Sequence, residues 1–186
     1  MDLMEAIYGR RAVREFTSQP VDENQIQTLI DAALHAPSAM NEQPWRFSVV
    51  RNQDLLLEVS SKSKAHLLRS SPAGLVAHHL GTLLGDEAFH IFYHAPAMIL
   101  ISANEDSQWA QIDCALAAQN LMLAAYGMGL GTCWIGLAQG WLATDEGRAA
   151  LGLPAGQLPV APIIVGHPKN VTPPTTREQP HVNWLN

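Results

Sequence analysis

From Cys114 to Thr144 the chain carries no charged residue. A run that long leaves water in one of two ways, across a bilayer or into a protein core. Gln119, Asn120 and Gln139 interrupt it, glycines break it at 127–131, and no Lys or Arg cluster flanks it. The bilayer reading therefore fails, and a buried helix followed by a buried strand remains. Ile112, Ala115, Leu116, Leu121, Leu123 and Ala124 surround the helix axis almost completely. This is the central helix, capped by Asp106 or Ser107 and running to about Tyr126. Gly127-Met128-Gly129-Leu130-Gly131 ends it, and Thr132 to Gly136 reads as a strand ending on glycine, where a ligand can approach backbone amides. Asp113, Gln119 and Asn120 on such a helix need partners, in backbone or in a ligand, because an unpaired buried polar group costs roughly 1–3 kcal/mol.

The other elements are read from the same patterns. Asp2 to Glu5 resembles a capping box ahead of a short helix reaching Gly9. Asp22 caps a helix whose Ile26, Leu29, Ile30, Ala33 and Leu34 share one face, and Pro37 stops it. Trp45 to Val50 is a strand, Asp54 to about Leu68 a helix, and Ala95 to Ala103 a strongly buried strand. Thr144 to Leu151 is a short helix, and Val160 to Gly166 the last core strand. At 186 residues the chain reads as one domain, 1–186, large enough to fold without staples. A net charge of −6 excludes nucleic acid and an acidic membrane surface as main partners. Cys114 and Cys133 lie in apolar surroundings and read as reduced packing residues, and no signal peptide precedes them, which together imply a cytoplasmic protein.

Four stretches carry polar groups that packing does not require. Ala36 to Trp45 is a loop stiffened by Pro37 and Pro44, with Ser38, Asn41 and Gln43 offering neutral donors and acceptors suited to a planar, polar ligand. It also reads as a plain helix-stop loop with an Asx-turn. Arg10-Arg11-Ala12-Val13-Arg14 concentrates three of the chain's 11 basic residues. They form either an anion site, for which the planar guanidinium suits phosphate, or a solvated basic patch. His78, His79, His90 and His94 accumulate in a segment, 66–94, that reads as a surface lid. His90 and His94 stand four apart, but no HExxH pattern supports a metal site, and none is assigned. The tail, Lys169 to Asn186, is proline-rich yet carries Arg177, Val182, Trp184 and Leu185, so it docks on its own domain or on a second subunit.

Taken together, these stretches resemble the nitroreductase-like family of FMN-dependent oxidoreductases. The matching pieces are Arg10 to Phe16, Ala36 to Trp45, the strand opening at Ala95-Pro96, Asp113 to Ala125, Gly129 to Gly136 and Gly166-His167-Pro168. The resemblance implies an α+β three-layer sandwich, with a mostly antiparallel central sheet flanked by helices. It implies an intertwined homodimer whose swapped tail, 167–186, docks on the partner and adds to its sheet. Arg10, Arg11 and Arg14 would hold the flavin phosphate and the pyrimidine edge, and Arg177 would complete the phosphate site. Pro37, Ser38, Ala39, Asn41 and Gln43 would arrive from the other subunit and line the ring. Trp134, Ile135 and Gly136 would present backbone to it. Ala12 stands where a serine is often found, which removes one hydroxyl contact.

The resemblance further implies an enzyme that uses NADH or NADPH to reduce a small-molecule electron acceptor, such as a nitroaromatic or a quinone. Hydride would pass through flavin N5 in a ping-pong cycle, with Arg14 opposing the charge of the reduced flavin. No side chain is needed as nucleophile or general base, so none is named catalytic. The alternatives are other flavin chemistry on the same fold (dehalogenation or flavin breakdown), a flavin-binding redox sensor with little turnover, and a histidine-rich metal-binding module.

Overall fold

The computed structural model describes residues 2–70, 78–104 and 107–185. The helices are α1 (Leu3–Gly9), α2 (Glu23–Leu34), α3 (Gln53–Ser70), α4 (His78–Gly85), α5 (Gln108–Gly127), α6 (Gly136–Leu142) and α7 (Asp145–Ala150). The strands are β1 (Trp45–Val50), β2 (Ala97–Ala103), β3 (Gly131–Trp134) and β4 (Leu158–Gly166). They form one sheet in the order β1-β2-β4-β3, each pair antiparallel. Helices cover both faces, which gives the expected α+β sandwich of three layers.

Strand alternation divides the core in two. Ala97, Ile99, Ile101 and Ala103 of β2 join Ile26, Leu29 and Ala33 of α2 and Ala117, Ala118 and Leu121 of α5 on one face. Met98 and Leu100 join Leu56 and Val59 of α3 and Ala138, Trp141 and Leu142 of α6 on the other. Asp22 makes the expected cap, its carboxylate accepting from Gln25 N while the Gln25 side chain accepts from Asp22 N. Ser107 caps α5. No described helix is long and apolar enough to cross a membrane.

Four expectations need correction. Asp2 makes no side-chain cap on α1; both Asp2 and Glu5 are exposed, and a first turn open to solvent does not require one. Leu34, expected on the buried face of α2, is exposed at its end. The central helix is not covered all round: Trp109, Ile112 and Leu116 leave an apolar stripe open, 66, 42 and 41% exposed. Finally, Gly136 does not close a strand but opens α6, a helix whose glycines hid it from propensity. Of the expected lid, residues 71–77 lie outside the described residues; α4 and the turn leading to β2 follow them.

Candidate functional site

Residues 10–17 run as an extended strap along the open edge of β3. Ala12 forms a parallel bridge with Thr132, and Val13 N donates to Thr132 O at 2.9 Å. Beyond it, Thr17 N donates to His167 O, and Lys169 N donates to Glu15 O. The close approach depends on Gly131, where a Cβ would stand 2.7 Å from that of Val13. Extended backbone turns alternate residues to opposite sides. Arg11 and Val13 line a cavity of about 460 Å³ with Tyr126, Gly129, Leu130 and the 168–172 segment, and Val13 also borders the neighbouring one. Ala12 packs on the second core, and Arg14 and Glu15 line a neighbouring cavity of about 270 Å³ with 170–173.

The three strap arginines are therefore placed differently. Arg11 donates through Nη1 to the carbonyls of Tyr8 (2.6 Å) and Arg10 (2.8 Å), where its charge complements the C-terminus of α1. Its Nε is buried without a partner. Arg14 lies 5.9 Å from the Tyr93 ring centroid, within cation–π range. Arg14 and Arg10 are both felt by Cys133: burial pushes that thiol up, and the two guanidiniums partly offset it. Among the described residues the two salt bridges are Lys62–Glu146 and Arg148–Asp145, so no carboxylate pairs with the strap arginines. Arg177 is exposed on the tail, its Nη1 turned to Thr175 and Thr176, and nothing within the protomer ties it to the strap.

The loop between α2 and β1 holds the second group of expected residues. Ala39–Asn41 is a single 3-10 turn. Met40, Asn41 and Gln43 take φ values of 51, 57 and 48°, a left-handed region that side chains other than glycine adopt at a cost. Ser38 Oγ accepts from Gln43 N at 3.1 Å, and Gln43 Nε2 donates to Asn41 Oδ1 at 3.2 Å. The loop rests on the start of α5, whereas Tyr126, which lines the larger arginine cavity, stands near the end of that helix. Asp113, which the loop touches, and Tyr126 are thus about 20 Å apart at 1.5 Å per residue. One protomer keeps its loop and its strap well separated.

The third group, Trp134 to Gly136, forms the junction of β3 with α6. Ile135 is buried and its N–H is taken by Pro162 O at 2.8 Å, while Gly136 is exposed. Tyr93 was not singled out from sequence; its place rests on a turn in which Tyr93 and His94 both have positive φ, 51 and 52°. That turn is held by Lys64, whose ammonium donates to the carbonyls of Asp86 and Phe89, and by Ser60 Oγ, which accepts from Ile91 N. His90 and His94 do meet, ring centroids 4.6 Å apart. Burial, with His94 and Lys64 adding, lowers His90 to about 4. Among the described residues no three His, Cys, Asp or Glu side chains gather as a metal site needs.

These features have counterparts among known proteins. Residues 7–167 match the model of the Nitroreductase family. The chain belongs to that family. A protein of Methanothermobacter thermautotrophicus with the provisional name NADH dehydrogenase/NAD(P)H nitroreductase is 31% identical over 90% of this chain and 78% of its own length. The Bacteroides fragilis nitroreductase, solved with bound FMN, superposes with a TM-score of 0.87 at 26% identity over 100% of both chains. The Desulfitobacterium hafniense nitroreductase, also with bound FMN, gives 0.83 at 26% identity, again over 100% of both. Membership places this chain among the oxidoreductases.

Proposed function

We propose that this member of the family is a homodimeric FMN-dependent oxidoreductase that draws on NADH or NADPH and reduces nitroaromatics, quinones or similar electrophiles. The observation that carries this reading is the strap, whose three arginines are in no salt bridge among the described residues. Arg11 and Arg14 line neighbouring cavities of flavin scale, and Arg11 has a buried Nε left unpaired. That donor set suits a phosphate and an electron-rich ring edge. FMN, once bound, supplies the hydride chemistry, taking two electrons from the nicotinamide and passing them to the acceptor. Arg10 and Arg11 hold the phosphate, with Arg177 completing the set from the tail. Arg14, kept in place by Tyr93, faces the pyrimidine edge and opposes negative charge there. Trp134, Ile135 and Gly136 border the ring, with Gly136 the backbone most open to it.

Pro37, Ser38, Ala39, Asn41 and Gln43 complete the site from the partner subunit, which is why one protomer can keep them at the far end of α5. Trp109, Ile112 and Leu116, with Leu3, Met4, Ile7 and Tyr8 of α1, supply the apolar area for pairing. The exposed Val182, Trp184 and Leu185 of the tail then cross to the partner, where β1 is an open sheet edge. The chain acts as one domain, with α4 and the turn that leads to β2 covering the substrate. Two buried, unpaired cysteines suit a reducing cytoplasm. A visible spectrum, then anaerobic addition of NADH and of NADPH, tests the proposal. Flavin bands that bleach promptly with one donor are expected. A colourless protein that FMN does not reconstitute overturns it.

A further inference from the structure

We infer that Asp113 is a positioning residue for the cofactor site: its buried carboxylate fixes the 37–44 loop, and so sets how that loop meets the flavin of the partner subunit. This rests on the flavin reading above and deepens it. The bonds internal to the loop, Gln43 N to Ser38 Oγ, Gln43 Nε2 to Asn41 Oδ1, Asn41 N to Ser38 O and Glu42 N to Ala39 O, set its shape but not its place. Two bonds tie it to the body. Asn104 N donates to Pro44 O at 2.9 Å, next to β1. Ala39 N donates to both oxygens of Asp113, at 3.1 and 3.3 Å.

The second tie is the one that governs the exposed part of the loop. Three residues there hold positive φ without glycine, a conformation that persists only where the surroundings over-determine it. Met40, at the turn, is 92% exposed and cannot supply that determination by packing. Asp113 is 4% exposed, on the inner side of α5. A neutral side chain of similar shape would satisfy the same N–H; an anion makes the stronger, charge-assisted bond. Asp113 also immediately follows Ile112, on the open stripe of α5. One turn of helix therefore references the loop to the surface on which the second subunit sits.

The experiment compares wild type with Asp113→Asn, Asp113→Ala, Ala39→Pro and the Asp113→Ala/Ala39→Pro pair. Ala39→Pro removes the donor without touching the core: Ser38 has φ −139 and ψ 151°, which a following proline accepts, and proline suits the first position of a helical turn. Two readouts are taken, the FMN dissociation constant and the rate of Glu-specific proteolysis after Glu42 in FMN-free protein. Asp113→Ala and Ala39→Pro should each weaken FMN about tenfold and speed cleavage by a similar factor, as loss of one charge-assisted bond predicts. Asp113→Asn, which keeps a neutral acceptor, should fall between wild type and Asp113→Ala, and the double variant should be no worse than either single one. Cleavage and FMN affinity unchanged in Asp113→Ala, or losses that multiply in the double variant, would overturn the assignment. If wild type itself fails to bind FMN, the flavin reading falls, and with it the cofactor role of Asp113. The proteolysis then reads the loop anchor alone.

Discussion

Cys133 and Cys114 show how one residue type reports on its surroundings. Burial pushes Cys114 up to about 12, with Asp113 beside it adding to the effect. Cys133 is raised by burial too, against the pull of Arg14 and Arg10. Reactivity follows the thiolate, so neither should react with Ellman's reagent at pH 8 in the native protein, and two thiols should appear on unfolding. A fast native thiol would contradict the packing at that position. His90 makes a pH prediction. Its folded value is lowered to about 4, so between that pH and the unfolded value near 6.5 the unfolded chain binds more protons. Stability is full above pH 6.5 and falls as pH drops toward 4, by on the order of 3 kcal/mol. Urea unfolding at pH 7 and 4.5 should show this fall, and His90→Gln should flatten it. At this scale the sequence was readable where one residue acts on near neighbours, as Asp22 does. The positive φ of Met40, Asn41, Gln43, Tyr93 and His94 was not readable, because none is glycine and tertiary contacts impose it.

Elements with a clear apolar pattern were legible: α2 by its period, α5 by its long uncharged run, and the four strands by their apolar runs, β3 except for its end. Failures came where composition and structure disagree. α6 holds Gly136 and Gly140 among its seven residues, and only its packing of Ala138, Trp141 and Leu142 onto the second core stabilises it as a helix. The stripe of α5 read as fully buried because its apolar content does not distinguish a core from an uncovered face. The contact of strap and strand gives a test at this level. Gly131→Ala sets a methyl against the Cβ of Val13, which is branched and cannot swing aside. The strap must lift or the strand must shift. Expected are a loss of about 1–3 kcal/mol in urea unfolding and weaker FMN retention, since Arg10, Arg11 and Arg14 move with Val13. Wild-type stability and flavin content would mean that the strap is not seated on Gly131.

For the whole molecule, the family and with it the α+β fold were legible through the resemblance, because each motif that carries it is short and local. How the proposed site residues combine across a dimer rests on the resemblance alone, since no pattern along one chain states which copy a loop would serve. A truncation separates the parts. Ending the chain after Thr172 keeps the bonds of Lys169 and Asn170 to Glu15 but removes Arg177, Val182, Trp184 and Leu185. The expected result is a shift toward monomer in sedimentation together with loss of FMN; an intact, flavin-loaded dimer would refute a crossing tail.

The length of α5 has one more consequence. Because it sets the loop's anchor, Asp113, some 20 Å from Tyr126 of the strap cavity, the two act in different cofactor sites of the proposed dimer. A protomer carrying Arg14→Ala and another carrying Asp113→Ala would each bind FMN weakly at both sites as homodimers. Mixed and allowed to exchange subunits, they would form heterodimers in which one site gathers both lesions and the other is wholly wild type. At limiting FMN, two weakly loaded preparations would yield a population of sites with wild-type affinity.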